Sequence, residues 1–335
     1  MDLLDRIFGE ARRNPGHVVL AEGGDNRVET AAVEAVHRGI ARITLLCDSE
    51  SAEGLRSRHN HSSGIAVVVP EEVATEDFAK SYEALRRHKG VDRDAARRAM
   101  RSPLGYAAMM VRSGQADGTI AGAVATTGDT IRAALEIIGK TPGTRIVSSF
   151  FLMIPGNRRP FGKTVVFADC ALVVDPGSQD LADIAIQSAD SAHRLLGERP
   201  RVAMLSFSTM GSSNHSQARV VAEAVSFSRK SKPDLIIDGE IQFDAAIDPE
   251  IRRRKAPECN REGIPNVFVF PNLAAANIGY KIAERVGGMT AVGPVLQGLR
   301  SPANDLSRGC STDDIVNLIA ITSLQARQMP EIPQK

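Results

Sequence analysis

Residues 304–309 (Asn-Asp-Leu-Ser-Arg-Gly) place a hydroxyl group beside a guanidinium group near the C-terminus of the chain. The planar fork of Arg308 suits the oxygens of a phosphate, and the Ser307 hydroxyl can donate a hydrogen bond to a developing oxyanion. Asp314 follows in Ser311-Thr312-Asp313-Asp314, which has the pattern of a capping box at a helix start. We therefore consider Asp314 either as a helix cap or as a general base near Ser307 and Arg308.

Two further loops are rich in hydroxyl and small residues. Residues 118–130 lead into a helix that carries Arg132, and residues 206–213 follow an apolar strand-like run. Hydroxyl groups and backbone N–H groups in such loops can hold a phosphate or an oxyanion, but the same residues are also ordinary helix caps. The chain has neither a Walker A loop nor a GxGxxG segment, which disfavours nucleoside triphosphate and dinucleotide enzymes.

The elements that must position these loops follow a βαβ rhythm. In the N-terminal part, apolar strand-like runs at 17–20, 43–47 and 65–69 alternate with helical stretches such as 28–38. This rhythm predicts an α/β fold with a parallel sheet that has helices on both faces. Because ligands of such sheets lie at the carboxyl ends of the strands, the polar loops that follow strands are the expected site.

The middle of the chain differs from this rhythm. The strand-like segments 147–153 and 164–169 are joined by a connection rich in Pro, Gly and Arg at 155–162, which predicts a hairpin at the entry to a second domain. The α/β rhythm then resumes, with strands predicted at 201–206, 235–237 and 267–270 and helices at 217–230 and 311–328.

Composition narrows the class of protein. The chain has 335 residues, 43% of them hydrophobic, and this length and composition indicate two globular domains. Its net charge of +1 disfavours a nucleic-acid partner. The four cysteines form no CxxC pair, so the sequence signals neither a zinc site nor a redox motif. The N-terminus lacks the layout of a signal peptide, and no apolar run reaches the length of a membrane span. We therefore expect a cytoplasmic protein without a membrane partner.

Several segments together resemble one enzyme family, the phosphate acetyltransferases. The resemblance covers nearly the whole chain, and the segment at 304–309 is its most specific element, which favours the acetyl enzymes over the related butyryl enzymes. The other segments that carry it are 116–118, 168–171, 184–189, 239–246, 256–257, 267–273, 277–281 and 293–298.

The resemblance implies a fold, a reaction and an assembly. The implied fold has two α/β domains with a central cleft, similar to the isocitrate/isopropylmalate dehydrogenase architecture. Domain I would comprise residues 1–146 plus 297–335, domain II would comprise residues 147–296, and the active site would lie in the cleft. The implied substrates are coenzyme A and acetyl phosphate, with direct thiol attack in a ternary complex. Neither a metal nor a prosthetic group is implied as cofactor, and the protein is expected to be a homodimer.

Carried over position by position, the resemblance assigns the catalytic serine to Ser307, the phosphate-side arginine to Arg308 and the base to Asp314. The implied substrate-binding residues are two further arginines, a threonine pair that meets phosphate, a tyrosine near the acyl group and an asparagine in the same segment: Arg86, Arg132, Thr126, Thr127, Tyr280 and Asn277. The direct mechanism leaves Cys310 and Cys170 without a nucleophilic role, so we expect them to serve packing.

Three alternatives remain at this point. A phosphate butyryltransferase would differ in the acyl pocket around Tyr280, whose volume the sequence does not determine. A metal-dependent hydroxyacid dehydrogenase would need clustered acidic ligands and a nicotinamide site, and the sequence shows neither. A catalytically inactive regulatory domain of this fold would not need Ser307, Arg308 and Asp314, which are all present.

Overall fold

The structure is a computed structural model, which describes residues 3–73, 75–156, 162–259 and 263–328. The first half of the chain forms α1 (Leu3–Arg13), β1 (Gly16–Leu20), α2 (Asn26–His37), β2 (Ala41–Leu46), α3 (Ser49–His59), β3 (Ile65–Val68), α4 (Glu76–Arg86), α5 (Arg93–Arg101), α6 (Pro103–Arg112), β4 (Gly118–Ala121), α7 (Thr127–Ala133) and β5 (Ser148–Ile154). A 3₁₀ turn at Arg87–Lys89 follows α4, and a π-helical turn at Ala134–Ile138 extends α7.

The second half forms β6 (Val165–Ala168), α8 (Ser178–Leu196), β7 (Arg201–Leu205), α9 (Ser216–Ser231), β8 (Ile236–Ile241), α10 (Phe243–Ile247), α11 (Pro249–Lys255), β9 (Val267–Val269), α12 (Leu273–Arg285), β10 (Thr290–Gln297), β11 (Ala303–Asp305) and α13 (Thr312–Gln328). The chain divides into two compact units. Unit 1 comprises Met1–Pro142 and Leu299–Lys335, and unit 2 comprises Gly143–Gly298.

Unit 1 contains a five-stranded sheet in the order β11-β4-β1-β2-β3, and every described pair in it is parallel. Val18, Val19 and Leu20 of β1 are at most 1% exposed, because a parallel sheet with helices on both faces buries its central strands on both sides. The strand order runs outward in opposite directions from β1 and β4. This reversal is the switch point at which open α/β sheets bind ligands.

The C-terminal segment belongs to unit 1. Strand β11 pairs with β4, and α13 packs on α2, α1 and β1 through a face that buries Ile315, Ile319 and Ala320 completely. The Ser323 hydroxyl accepts a hydrogen bond from the Gly16 amide at 2.8 Å, which joins α13 to the start of β1. The residues after position 298 therefore complete a sheet that the first third of the chain begins.

Unit 2 contains a six-stranded mixed sheet in the order β10-β5-β6-β9-β7-β8. The pairs β10/β5 and β5/β6 are antiparallel, and the pairs that involve β9 and β7 are parallel. Antiparallel pairing of β5 with β6 confirms the predicted hairpin, although residues 157–161 of its connection lie outside the described residues. The α/β class is confirmed in both units, and the antiparallel part of the second sheet starts at that hairpin.

Candidate active site

Three loops leave the same edge of the sheet in unit 1. They are residues 21–25 after β1, residues 122–126 after β4 and residues 306–311 after β11. Strands β1, β4 and β11 are neighbours and parallel, so their carboxyl ends meet at one edge. The amide of Leu306 donates to the carbonyl oxygen of Ala121 at 2.7 Å, which brings the second and third loops together.

Ser307 and Arg308 lie on a tight turn in the third loop, with exposed side chains. The Cys310 amide donates to the Ser307 carbonyl oxygen at 2.9 Å, and the Gly309 amide donates to Ser307 Oγ at 3.3 Å. Within the described part of the chain, the guanidinium of Arg308 makes no hydrogen bond or ion pair. An exposed hydroxyl and an unpaired guanidinium therefore stand together on one turn, where they can meet an anion.

Asp314 forms a capping box with Ser311 at the start of α13. Its Oδ2 accepts hydrogen bonds from the amide and the hydroxyl of Ser311, both at 2.8 Å, and its own amide donates to Ser311 Oγ at 3.2 Å. The capping interpretation is thereby confirmed. The base interpretation remains a prediction, since the half-buried carboxylate can have both roles.

The loop after β4 is organised around an acidic side chain from the loop after β1. Oε2 of Glu22 accepts from the amides of Gly122 and Ala123 at 2.9 and 2.7 Å. Oε1 accepts from the amides of Val124 and Ala125 at 3.1 and 2.6 Å. The backbone amides that the sequence offered to a phosphate are thus occupied by an internal carboxylate, so an anion bound here must use side chains or other amides.

A second carboxyl group, from Asp305, is buried directly beside this loop. Asp305 is 2% exposed, and its Oδ1 has no hydrogen-bond partner among the described residues. The pKa of Asp305 is raised to about 6, mainly by burial; the hydroxyls of Thr127 and Thr130 lower it in part, and the charge of Glu22 adds to the increase. Gly122 has φ +107°, and a Cβ there would lie 2.4 Å from Asp305 Oδ1, so the loop passes the carboxyl at a distance that only glycine allows.

Arg27, on the first turn of α2, connects all three loops. Its guanidinium forms a bidentate pair with Asp25, at 3.0 and 2.8 Å, which holds the pKa of the Asp25 carboxyl below its usual value. It also donates to the carbonyl oxygens of Ala123 at 3.0 Å, Arg308 at 2.8 Å and Cys310 at 3.0 Å. The turn that carries Ser307 and Arg308 is therefore fixed from the side of α2.

The threonine pair lies at the start of α7. Thr126 is the N-cap, with its Oγ1 accepting from the Asp129 amide at 3.2 Å and donating to Asp129 Oδ2 at 2.8 Å. Arg132 pairs with the other oxygen of Asp129 at 2.9 Å. Thr126, Thr127 and Arg132 are all exposed, so the structure brings these three predicted residues together on one helix at the loop edge.

Arg86 ends α4 and pairs with Glu136 at 2.9 Å. Tyr82 donates to the other oxygen of the same carboxylate at 3.0 Å. Arg86 Nε is buried and has no hydrogen-bond partner in the part of the chain that is described. The ion pair therefore uses only part of the hydrogen-bonding capacity of this guanidinium.

The remaining two predicted residues, Tyr280 and Asn277, lie on α12 in unit 2. The Tyr280 ring stacks on Phe151, with ring centroids 4.4 Å apart, and contacts the apolar core of that unit. Asn277 Nδ2 donates to the carbonyl oxygen of Cys170 at 3.1 Å. Both side chains are half-buried and have structural contacts within unit 2.

Cys310 and Cys170 are both buried. Burial raises the pKa of the Cys310 thiol, and it raises that of Cys170 well above the ordinary range. Because the thiolate is the nucleophilic form, neither side chain is prepared for attack. Within the described ranges, no group of three or more His, Cys, Asp or Glu side chains is arranged to hold a metal ion. No helix in this part of the chain is long and apolar enough to cross a bilayer.

Known proteins that are similar to this chain identify its family. The family model for phosphate acetyl/butaryl transferases matches residues 2–323. A phosphate acetyltransferase from Paracoccus denitrificans is 50% identical over 328 residues, which cover 98% of this chain and 100% of that protein. The chain belongs to the phosphate acetyl/butaryl transferase family.

Solved structures of phosphotransacetylases agree with this membership. The EutD phosphotransacetylase from Staphylococcus aureus has a TM-score of 0.86 at 42% identity, covering 97% of this chain and 98% of that one. A phosphotransacetylase from Streptococcus pyogenes has a TM-score of 0.89 at 39% identity, with 97% and 99% covered. The resemblance inferred from the sequence is confirmed, while the likeness to the isocitrate dehydrogenase architecture stays a prediction.

For this member of the phosphate acetyl/butaryl transferase family, sequence reasoning missed Glu22 and Arg27 and gave no role to Asp305. Residues 22–25 lie between the predicted strand at 17–20 and the predicted helix at 28–38 and carry no motif. The available signal was weak: charged residues directly after a buried strand lie at the carboxyl edge of the sheet. Their partners are about 100 and 281 positions away in the sequence, so no local pattern identifies them.

Proposed function

We propose that this chain catalyses the reversible transfer of an acetyl group between acetyl phosphate and coenzyme A. The observation that carries the proposal is the exposed turn with Ser307 and Arg308, whose guanidinium has no partner among the described residues. This turn lies at the switch-point edge of a chain that belongs to this family over nearly its full length. A hydroxyl and a free guanidinium are what a phosphorylated acyl substrate needs.

In the proposed reaction, the thiol sulfur of coenzyme A attacks the carbonyl carbon of acetyl phosphate in a ternary complex. The S–C bond forms, the bond from that carbon to the phosphate oxygen breaks, and inorganic phosphate leaves. The thiol proton passes to the carboxylate of Asp314, because a thiol with a pKa near about 8.5 is mostly protonated at neutral pH. Ser307 donates to the oxyanion, and Arg308 holds the phosphate oxygens.

The other predicted residues would bind the substrates. Arg86 is a partly exposed cation and Arg132 an exposed one, and we assign both to phosphate groups of the two substrates. Thr126 and Thr127 present hydroxyls on the first turn of α7. In unit 2, Tyr280 would approach the acyl group, and we assign Asn277 to substrate binding. The proposed chemistry requires neither a metal nor a prosthetic group as cofactor, since acetyl phosphate already carries an activated acyl group.

We further propose that the protein is a cytoplasmic homodimer. Helix α12 and its C-cap residue expose an apolar stripe at helical spacing, with Ile278, Ile282 and Val286 exposed by 60%, 56% and 77%. Such a stripe favours an isologous contact, in which α12 of one protomer packs against α12 of a second copy. All four cysteines are unpaired and buried, which fits a reducing compartment.

Thioester formation, followed by ultraviolet absorbance with purified protein, tests the function. We expect turnover with acetyl phosphate to exceed turnover with butyryl phosphate. A clear preference for butyryl phosphate would favour the butyryltransferase alternative, and no turnover with either substrate would favour an inactive regulatory domain.

Initial-rate kinetics test the direct mechanism. Intersecting initial-velocity lines are expected when both substrate concentrations are varied, with no acetyl label retained on Ser307 or Cys310. Ping-pong patterns, together with an acetyl-protein that forms as fast as turnover, would instead establish a covalent intermediate.

A further inference from the structure

We propose that Arg27 is a positioning residue, which holds the turn carrying Ser307 and Arg308 in the geometry that acetyl transfer requires. The inference rests on the proposed function of that turn. It concerns a residue whose side-chain N–H groups bind Asp25 and the backbone of the surrounding loops, so that it would act through those loops.

Every N–H group of the Arg27 guanidinium donates a hydrogen bond. An arginine side chain has five N–H donors, and the acceptors here are both oxygens of Asp25 and the carbonyl oxygens of Ala123, Arg308 and Cys310. The distances to these acceptors lie between 2.8 and 3.0 Å. Each donor has an acceptor, so none is left for a phosphate or an acyl oxygen. This distinguishes Arg27 from Arg308, whose guanidinium has no partner among the described residues.

The acceptors lie on the loops that form the candidate site. The two carbonyls held by Arg27 Nη1, those of Arg308 and Cys310, flank Gly309 in the turn. The carbonyl held by Nη2 belongs to Ala123, in the loop that also binds Glu22. One side chain thus sets the separation between the backbone of the Ser307 turn and the backbone of the loop that leads to Thr126.

The helix that carries Arg27 holds this side chain in a fixed position. Asp25 is the N-cap of α2, and its Oδ1 accepts from the Arg27 amide at 2.8 Å as well as from the Arg27 side chain. Directly behind it, Val28, Ala31 and Ala32 of α2 are at most 2% exposed. The guanidinium therefore transmits the position of a buried helix to an exposed turn that has few interactions of its own.

Lysine could not replace this arginine. An ammonium group has three donors on a flexible stem and no planar fork, so it could satisfy at most three of the five acceptors. Arg27→Lys keeps the charge near Asp25 but loses the geometry. If the role were purely electrostatic, the lysine variant would keep its activity.

The first test measures kcat, KM and melting temperature for Arg27→Ala and Arg27→Lys. We expect kcat to fall about 10- to 100-fold in both variants, since a displacement of about 1 Å in a catalytic group has effects of this size. Arg38→Ala is the matched control. Arg38 is near the other end of α2, pairs with Glu34 and has a side-chain exposure of 35%, against 33% for Arg27. The control should keep kcat within about twofold, which is within the range of ordinary surface substitutions.

The second test is a double-mutant cycle with Arg308→Ala. If Arg27 acts by placing Arg308 and its turn, its removal should cost much less in the Arg308→Ala background than in the wild-type chain. If Arg308→Ala lowers kcat strongly and Arg27→Ala lowers it by the same factor in both backgrounds, the inference is overturned while the proposed function stays intact. An Arg308→Ala variant with normal turnover would defeat the site assignment itself.

Guanidinium rescue separates positioning from folding. Added guanidinium ion, at concentrations well below those that unfold the chain, should restore part of the kcat of Arg27→Ala and should leave Arg38→Ala unchanged. Arg27→Lys with wild-type kcat, or an Arg27→Ala variant whose activity loss matches only its loss of folded protein, would overturn the proposal.

Discussion

Ser311 and Asp314 bond to each other in both directions at the start of α13. The serine donates twice to the aspartate carboxylate, and the aspartate amide donates back to the serine hydroxyl. A carboxylate held in this way has a fixed orientation on the first turn of α13, so a structural role and a chemical role can coexist in one side chain. Their contributions can be separated because Ser311 shares only the structural role.

Asp314→Asn should lower kcat by about 10²- to 10⁴-fold if the carboxylate takes the thiol proton. KM for both substrates should change little, because the carboxylate acts mainly on proton transfer. Ser311→Ala is the matched control, since it breaks the same capping box and keeps the carboxylate; it should cost about 0.5–2 kcal/mol of stability and leave kcat largely intact. Equal kcat in the asparagine variant and the wild type would move the search for a base to another carboxylate.

Arg308→Ala should lower kcat/KM for acetyl phosphate by an amount equivalent to about 2–5 kcal/mol, because a phosphate loses its charged partner. Most of the loss should appear in kcat if the contact tightens in the transition state. Arg300→Ala provides the comparison, since Arg300 is also exposed but lies before β11. If Arg308→Ala and Arg300→Ala both keep near-normal kcat and KM, Arg308 does not contact the substrate.

Asp305→Asn should change stability in a pH-dependent way. Burial raises the pKa of this carboxyl from its ordinary 3.8 to about 6, so the folded chain holds the proton more tightly than the unfolded chain. The contribution of Asp305 to the stability of the wild type therefore falls as the pH rises from about 4 to about 6. The variant has no such carboxyl, and the free energy of unfolding of the variant relative to wild type should rise by about 2–3 kcal/mol across that window.

Urea unfolding at a series of pH values between 4 and 8 measures this difference. Asp313→Asn is a suitable control, because it makes the same substitution at an exposed position. A curve for Asp305→Asn that is also parallel to the wild type would show that the Asp305 carboxyl ionises as freely as a solvated one.

Ile282→Asp should dissociate the proposed homodimer, because it places a charge in the middle of the apolar stripe on α12. Size-exclusion chromatography with light scattering should show twice the chain mass for the wild type and a single chain mass for the variant. Val33→Asp, at a position 45% exposed on α2, should leave the assembly unchanged. A monomeric wild type would refute the homodimer proposal directly.

Local patterns in the sequence determined much of this protein. The α/β class, the hairpin of β5 with β6 and the capping box of Ser311 with Asp314 all follow from residues close together in the chain. Such features can be predicted because apolar periodicity and helix capping involve neighbours a few positions apart. The segment at 304–309 was equally recognisable, since its residues are contiguous.

Only the tertiary structure decided how the loops of the site are held. Glu22 occupies amides about 100 positions further along the chain, and Arg27 binds carbonyls about 281 and 283 positions away. The burial of Asp305 likewise depends on β11 pairing with β4 and on the close passage of Gly122. Sheet order sets these contacts, and sheet order is a property of the packed chain: the same charged residues in a different strand order would face solvent.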